Sequence, residues 1–199
     1  MNVVGFNDGP FQRDHQGRVL LVGAICSRGR LDGVVSGCVQ RDGTDATRRI
    51  YELIRRSPFH EHVNALMLQG ISVAGFNVVD VHALAAALEL PLLVVMRRAP
   101  DLPAMRQALF SEAPRGRPRV TGALRKWRLI RAAGDIERLS LQRSSAAKSP
   151  VAPEHPLWVQ RVGLSVEQAR RLLRATTLHG ALPEPLRLAH LIAGGVASP

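Results

Sequence analysis

Four aspartates stand where predicted strands end or helices begin, positions from which several carboxylates could bind one metal ion. Asp8 closes the first apolar strand, Asp42 and Asp45 follow the third strand, and Asp80 begins a helix. Mg²⁺ prefers oxygen ligands, and two such ions can clamp the attacking and leaving oxygens of a phosphodiester. Each aspartate also has a structural alternative, because aspartate forms turns, caps helices and favours a first helical turn. The spacing alone therefore indicates a metal site only weakly.

A second chemical feature is the concentration of basic residues in segment 103–148, which holds 11 basic and 3 acidic side chains. On a helix, Arg125, Arg128 and Arg131 would fall broadly on one face. Such a row binds phosphates and drives affinity without reading the base sequence. The alternative is a solvated face in an Arg-rich protein. The candidate phosphate-binding residues in this segment are Arg115, Arg117, Arg119, Arg125, Lys126, Arg128 and Arg131.

The elements that position these residues can be read from apolar runs and helical spacing. Strands are predicted at 2–6, 18–27, 31–40, 64–68, 92–96 and 157–162. Helices are predicted at 46–56, 79–89, 102–112, 122–133, 165–176 and 183–193, the last of them closed by Gly194 and Gly195.

An antiparallel opening followed by strand–helix–strand units predicts an α/β fold. The order of elements is that of a ribonuclease H-like mixed sheet, with three antiparallel strands first, parallel βαβ units next, and helices on both faces. The length of 199 residues suits a single domain over 1–199, with the basic segment 103–148 and a Pro-rich loop at 144–156 inside it.

Composition narrows the class of partner. The formal net charge of +11 suits an anionic partner, while an aromatic content of 4% leaves few stacking platforms for single strands. The cysteines Cys26 and Cys38 have neither disulfide-framework nor zinc-site spacing. No apolar run approaches the ~20 residues of a membrane helix, and no signal peptide is indicated. A cytoplasmic protein without a membrane partner is therefore predicted.

Four stretches of the chain resemble the endonuclease V-like family catalogued as domain of unknown function ninety-nine. They are GFNDGPF at 5–11, DGTDAT at 42–47, LMLQGISVAGFNVVDV at 66–81 and RATTLHGALPEPLRLAHLIA at 174–193. The resemblance implies the ribonuclease H-like fold. Archaeal members of the family are described as a deoxyuridine-directed DNA endonuclease, and endonuclease V cuts near inosine or other deaminated bases using Mg²⁺.

The chain departs from the family pattern at two positions. The first motif usually reads G-x-D-D-G-P-F, with an acid where this chain has Asn7, and the strand motif usually has Asp where this chain has Gln69. By analogy with endonuclease V, both positions match metal-binding carboxylates. The resemblance then implies Asp8, Asp42 and Asp45 as catalytic carboxylates, with Mg²⁺ or Mn²⁺ held by Asn7, Asp8, Asp42, Asp45 and Gln69.

These observations predict a metal-dependent DNA endonuclease acting at deaminated bases in DNA repair. The alternative is a catalytically impaired member that binds nucleic acid without cutting it, because two acids are replaced by amides. DNA is the expected partner and RNA the alternative, and the oligomeric state is open. His179 and His190 could meet a phosphate, although His190 could also pack in the core. Asn77 could cap a helix, and Glu184 could pair with Arg187 at i,i+3.

Overall fold

Apolar runs form the strands and amphipathic segments form the helices of the computed structural model, which describes residues 1–12, 14–112, 120–140 and 156–197. The strands are β1 (Asn2–Asp8), β2 (Arg18–Ser27), β3 (Arg30–Gln40), β4 (Val63–Gln69), β5 (Ser72–Val73), β6 (Asn77–Val78), β7 (Leu92–Met96), β8 (Glu137–Leu139) and β9 (Leu157–Val162). The helices are α1 (Ala46–Arg55), α2 (Val81–Leu88), α3 (Leu102–Leu109), α4 (Ala123–Ala132), α5 (Val166–Thr176) and α6 (Glu184–Ala197).

Within those residues, seven strands form one mixed sheet in the order β3-β2-β1-β4-β7-β9-β8. The opening three strands are antiparallel, and β1, β4 and β7 run parallel to one another. A two-residue loop joins β2 to β3, and both of its residues, Arg28 and Gly29, have positive φ. Turns of that kind match the right-handed twist of a hairpin. The predicted mixed α/β sheet is therefore confirmed.

Helices cover both faces of the sheet, because alternate residues of its central strands point to opposite sides. Leu66 and Leu68 of β4 belong to the core that also includes residues of α1, α2 and α4. Ala65 and Met67 of the same strand belong to a second core, together with residues of α5 and α6. The central strands are thus buried on both faces, as their continuous apolar sequence predicts.

A glycine allows α6 to lie directly against β1. A Cβ atom added at Gly5 would stand 2.6 Å from the carbonyl carbon of Pro185 and 2.7 Å from the amide nitrogen of Leu186. Only a residue without a side chain fits this approach. The close packing brings the second turn of α6 to the carboxyl end of β1, where the candidate site lies.

The structure also differs from the predicted elements. Helix α6 continues through Gly194 and Gly195 to Ala197, so the prediction that this pair closes the helix is wrong. The predicted loop at Gly75 contains the small β5–β6 hairpin, and β8 was not predicted. Strand β9 pairs antiparallel with β7.

Two predicted loops fall mainly outside the described residues. They are the segment with Arg115, Arg117 and Arg119, and nearly all of the Pro-rich loop at 144–156. Across the described ranges, no helix is long and apolar enough to cross a membrane.

Candidate metal site and nucleic-acid surface

The carboxyl ends of β1 and β4 lie side by side at one edge of the sheet. The two strands are parallel, and Phe6 pairs with Leu68, so Asn7 and Gln69 are the next positions along. Gln69 follows Met67 by two residues and therefore lies on the α5–α6 face of the sheet. Asn7 contacts α6 directly. Two of the predicted metal ligands are thus neighbours on one face.

Asn7 is buried and its amide contacts His190 of α6. Asn7 Nδ2 lies 2.8 Å from His190 Nδ1. Because an amide nitrogen only donates hydrogen bonds, Nδ1 is the acceptor and the ring proton lies on Nε2. The His190 side chain is exposed, so it does not pack in the core. Its Nε2–H is therefore available to donate a hydrogen bond to solvent or to a ligand.

Gln69 carries a buried acceptor without a partner. Its side-chain oxygen Oε1 is inaccessible to solvent and accepts no hydrogen bond within the part of the chain that the structure describes. Leaving a buried polar atom unpaired costs about 1–3 kcal/mol, so such an atom calls for an ion, a water or a ligand. The atom fits a cation held at this edge, although an amide supplies no negative charge.

Asp8 is the carboxylate nearest to these amides along the chain. Its Oδ2 accepts a hydrogen bond of 2.7 Å from the backbone N–H of Ala74, in the loop between β5 and β6. Burial raises the pKa of the Asp8 carboxyl above its ordinary value of 3.8, and the Ala74 N–H and nearby His190 oppose that rise. Asp8 carries the negative charge that Asn7 and Gln69 lack, but it follows Phe6 by two residues and its side chain turns to the face that holds Ala74.

Asp42 forms hydrogen bonds that hold the β5–β6 loop in place. It has a positive φ of 50°, and its Oδ1 accepts a hydrogen bond of 2.7 Å from the N–H of Phe76. Its own N–H donates to the carbonyl of Ala74, and Arg41 lies 3.3 Å from its Oδ2. A Cβ at Gly75 would stand 2.4 Å from Oδ1 of Asp42, so glycine is required there.

Asp45 is likewise held in a structural network, and not as a cap of its own helix. It precedes α1 but makes no capping hydrogen bond to that helix. Its carboxylate accepts from the N–H of Gln40 and, at 2.6 Å, from Nδ2 of Asn77. Asn77 Oδ1 accepts instead from the N–H of Ala46 and so caps α1 from a distant strand. The predicted capping role is confirmed for Asp80, which caps α2, whereas Asn77 bonds to the start of α1 from outside that helix.

The three candidate carboxylates are therefore not assembled into one metal site. Among the described residues, no group of three or more His, Cys, Asp or Glu side chains could hold a metal ion. Asp42 and Asp45 each accept hydrogen bonds that fix the loops around β6. The assignment of Asp8, Asp42 and Asp45 to a shared ion stays a prediction that this arrangement does not support. The ends of β1 and β4 retain Asn7, Asp8 and Gln69.

The basic residues of α4 divide into an exposed row and one buried side chain. Arg125, Arg128 and Arg131 are exposed, as expected of a phosphate-binding face. Lys126 does not share that surface, because its side chain is only 2% exposed. Its Nζ donates a hydrogen bond of 2.5 Å to the backbone carbonyl of Asp42. Burial lowers the pKa of the Lys126 ammonium. Lys126 therefore lies on the buried side of α4, while the arginines lie on the exposed side. Amino-acid composition does not distinguish these two positions.

The loop before α6 is organised by a buried ion pair. Glu184 is 2% exposed, accepts from Nε and Nη2 of Arg187, and also accepts from the backbone N–H of His179. The predicted i,i+3 pairing of Glu184 with Arg187 is confirmed. The His179 side chain is exposed, so its predicted contact with a phosphate stays a prediction.

The sequence did not reveal how much of the site is backbone. The N–H of Ala74 holds Asp8, and the carbonyl of Asp42 holds Lys126. Every residue type has the same backbone N–H or carbonyl group, apart from proline, so the sequence does not indicate these contacts. The one available sign was Gly75, whose positive φ of 81° marks the tight loop.

Comparison with known sequences places the chain in a family over nearly its whole length. The family model described as endonuclease dU matches residues 1–197. A UPF0215 protein of Deinococcus radiodurans is 44% identical over 195 residues, which are 98% of this chain and 88% of that protein. A UPF0215 protein of Thermococcus gammatolerans is 38% identical over 200 residues, covering 98% of this chain and 92% of the relative.

Solved structures share the fold. A protein of unknown function from Archaeoglobus fulgidus superposes with a TM-score of 0.79 at 27% identity, covering 98% of this chain and 97% of that one. Endonuclease V of Ciona intestinalis, in complex with a 24mer DNA containing an inosine followed by a ribo-adenosine, has a TM-score of 0.56 at 13% identity, with 94% and 82% covered. These likenesses confirm the predicted ribonuclease H-like fold. This chain belongs to the endonuclease dU family.

Proposed function

We propose that the protein is a divalent-metal-dependent DNA endonuclease that cuts at deaminated bases, deoxyuridine or inosine, in DNA repair. Membership of the endonuclease dU family and the fold shared with endonuclease V support a nuclease. The observation that carries the proposal is the unpaired, buried oxygen of Gln69 at the end of β4, beside the end of β1 with Asn7 and Asp8. A cation at this edge would satisfy that oxygen.

The residues present suit a weakly held ion. Asp8 and the amide oxygens of Asn7 and Gln69 would hold Mg²⁺ or Mn²⁺, which would supply Lewis-acid activation of water and phosphate. Because only Asp8 is charged, the protein alone should bind the ion poorly. Mg²⁺ is commonly held by one or two carboxylates together with substrate phosphates. The DNA phosphate would therefore complete the site.

The chain's own groups can position the DNA around that site. Asn7 holds His190 in the tautomer whose exposed Nε2–H can donate a hydrogen bond to a phosphate oxygen. The exposed row of Arg125, Arg128 and Arg131 can neutralise backbone phosphates. Chemistry at a damaged nucleotide is aided by unstacking, which costs least for damaged or mispaired bases.

A nicking assay tests the proposal. Labelled duplexes carrying one deoxyuridine or one inosine, and an unmodified duplex, are incubated with Mg²⁺ or Mn²⁺. We expect lesion-dependent nicking that chelation and Asp8→Ala abolish. Asp32→Ala is the matched control, because Asp32 is an exposed aspartate near the start of β3, at the opposite edge of the sheet from the carboxyl end of β1. It should keep full activity. Nicking that survives Asp8→Ala would contradict the assigned site.

A second function, binding without cleavage, is favoured by the amides at Asn7 and Gln69 and by the lack of a three-carboxylate group in the described residues. It predicts no nicking with any metal, while binding to the same duplexes persists and weakens with salt. In that case the double change Asn7→Asp with Gln69→Asp, which restores two acids, should create metal-dependent nicking.

A further inference from the structure

A cavity of about 360 Å³ opens between α1, α2 and α4. It is separate from the candidate metal site, since none of Asn7, Asp8, Gln69 or His190 lines it. Its size falls at the lower end of the range of small-ligand sites, about 300–1,000 Å³. The cavity therefore requires its own explanation.

Three cationic side chains line the cavity, and one carboxylate faces them. Arg48, Arg125 and Lys126 carry the positive charge, and Asp80 carries the negative charge. The Asp80 carboxylate already accepts a hydrogen bond from the first turn of α2. Arg48 pairs with Glu52, outside the cavity lining. The wall consequently has an excess of positive charge.

Arg125 and Lys126 form no direct ion pair within the described ranges, although the charge of Asp42 opposes the lowering of the Lys126 pKa. The Arg125 side chain is exposed and makes no hydrogen bond or ion pair to any residue in the described ranges. The Lys126 side chain is almost fully buried, and its ammonium donates to the backbone carbonyl of Asp42. Burial of this kind disfavours the charged form, and burial lowers the pKa of Lys126. An anion in the cavity would favour the charged form again.

The rest of the lining is largely apolar. The aromatic ring of Tyr51 and the side chains of Val78, Leu84 and Leu129 form this part of the wall. A flat ring could pack against such a surface, and aromatic side chains favour offset stacking. Cations beside an apolar wall match a ligand that joins an anionic group to a planar apolar group.

We propose that this cavity binds a nucleotide, with the base against Tyr51 and the leucines and the phosphate beside Arg125. A nucleotide has both the anion and the flat ring that the lining complements. The proposal does not rest on the endonuclease activity, because the cavity and the candidate metal site have no residue in common.

Titration with adenosine 5′-monophosphate, followed by NMR or calorimetry, tests the cavity. Adenosine and inorganic phosphate are titrated alongside, and each should bind more weakly than the nucleotide. Arg125→Gln should weaken nucleotide binding about tenfold, as expected for loss of one charge-assisted hydrogen bond. The matched control is Arg55→Gln, an exposed arginine at the end of α1 outside the lining, and it should change affinity less than about twofold.

A second pair of variants tests whether the nucleotide occupies the cavity. Ala83 of α2 lines the cavity, whereas Ala86 of the same helix is exposed and does not. Ala83→Phe should block binding and Ala86→Phe should not, with thermal melts showing that both fold. Absence of saturable binding to the unaltered protein would overturn the proposal. So would equal losses in the cavity variants and their controls.

Competition distinguishes the two sources of a nucleotide. If a single-stranded 12-mer displaces adenosine 5′-monophosphate, and Ala83→Phe weakens binding of that 12-mer, the cavity holds a nucleotide of a strand. If the 12-mer leaves the bound mononucleotide in place, the cavity holds a free nucleotide. Either result supports the site and assigns its source.

Discussion

Asn7 and Gln69 stand at the ends of two adjacent buried strands, and both are neutral. The Asn7 amide donates to His190, which therefore carries its proton on the exposed Nε2. A carboxylate at position 7 would reverse that arrangement, since it would accept a hydrogen bond from an Nδ1–H of His190. The identity of residue 7 thus sets both the charge of the metal site and the hydrogen-bonding role of His190.

Restoring the two acids should strengthen metal binding. We expect Asn7→Asp with Gln69→Asp to raise Mn²⁺ affinity at least about tenfold, because hard cations are held mainly by carboxylates. Calorimetric titration with Mn²⁺ measures the change.

The control for that variant is Asn64→Asp, which adds a charge at the opposite end of β4 and retains an oxygen that can accept from the N–H of Asn2. It should leave Mn²⁺ affinity unchanged. If the double variant and this control behave alike, Asn7 and Gln69 are not metal ligands.

At the scale of elements, the β5–β6 hairpin and α6 are the parts that shape the site. The hairpin loop reaches Asp8 through the N–H of Ala74, and it reaches Asp42 through the N–H of Phe76. The side chain of Asn77, on β6, joins this hairpin to the start of α1. Helix α6 brings His190 to the end of β1 because Gly5 allows the close approach.

Asn77→Ala should cost more stability than removal of an ordinary helix cap. The buried side chain bonds to Ala46, Gln40 and Asp45, so the change leaves several buried groups unpaired. We expect a loss of about 2–4 kcal/mol in the free energy of unfolding. Ser165→Ala, which removes the predicted and observed capping box of α5, should cost about 1 kcal/mol. Urea unfolding measures both, and equal losses would contradict the joining role of Asn77.

Gly5→Ala should separate α6 from β1. Its methyl group would stand 2.6 Å from the backbone of Pro185, so the helix must move, at a cost of about 1–3 kcal/mol. Because α6 carries His190, nicking should fall as well. Gly195→Ala is the control within the same helix, where a Cβ meets no atom within 4 Å, and it should stabilise by up to about 1 kcal/mol. Thermal unfolding that is unchanged by Gly5→Ala would refute the close packing.

At the scale of the whole molecule, the net charge of +11 is concentrated in the second half of the chain. The exposed arginines of α4 belong to that half, and Lys126 joins α4 to the backbone of Asp42. The Asp42 N–H donates to Ala74, whose own N–H holds Asp8. Helix α4 and the end of β1 are therefore connected by a short series of hydrogen bonds.

If the arginines of α4 contact DNA phosphates, removing them should make DNA binding less dependent on salt concentration. Changing Arg128 and Arg131 to Gln should reduce the slope of log affinity against log salt by about 2, since each lost phosphate contact contributes about 0.9. The same changes at Arg171 and Arg174, an exposed i,i+3 pair on α5, should leave the slope unaltered. Filter binding from low to moderate salt measures both slopes, and equal slopes for the two variants would exclude α4 as the contact surface.

Local sequence patterns alone determined most elements and the family of this protein. Apolar residues predicted β7 and β9 with the observed bounds. In β7, burial on both faces leaves a continuous apolar signal. Motifs such as GFNVVD carried the resemblance that the family match confirmed. The capping box of Ser165 with Gln168 was likewise readable, since both partners lie within one turn.

The tertiary structure decided which charged groups are free to act. Lys126 and Arg125 are neighbours in sequence, but only Arg125 reaches solvent, because Lys126 extends to a carbonyl 84 positions away. Asp45 and Asn77 pair across 32 positions, which removes Asp45 from the predicted metal site. The cavity likewise forms only where three helices meet. Such contacts depend on how elements that are distant in sequence pack together. The periodicity of a local segment gives no information on that packing.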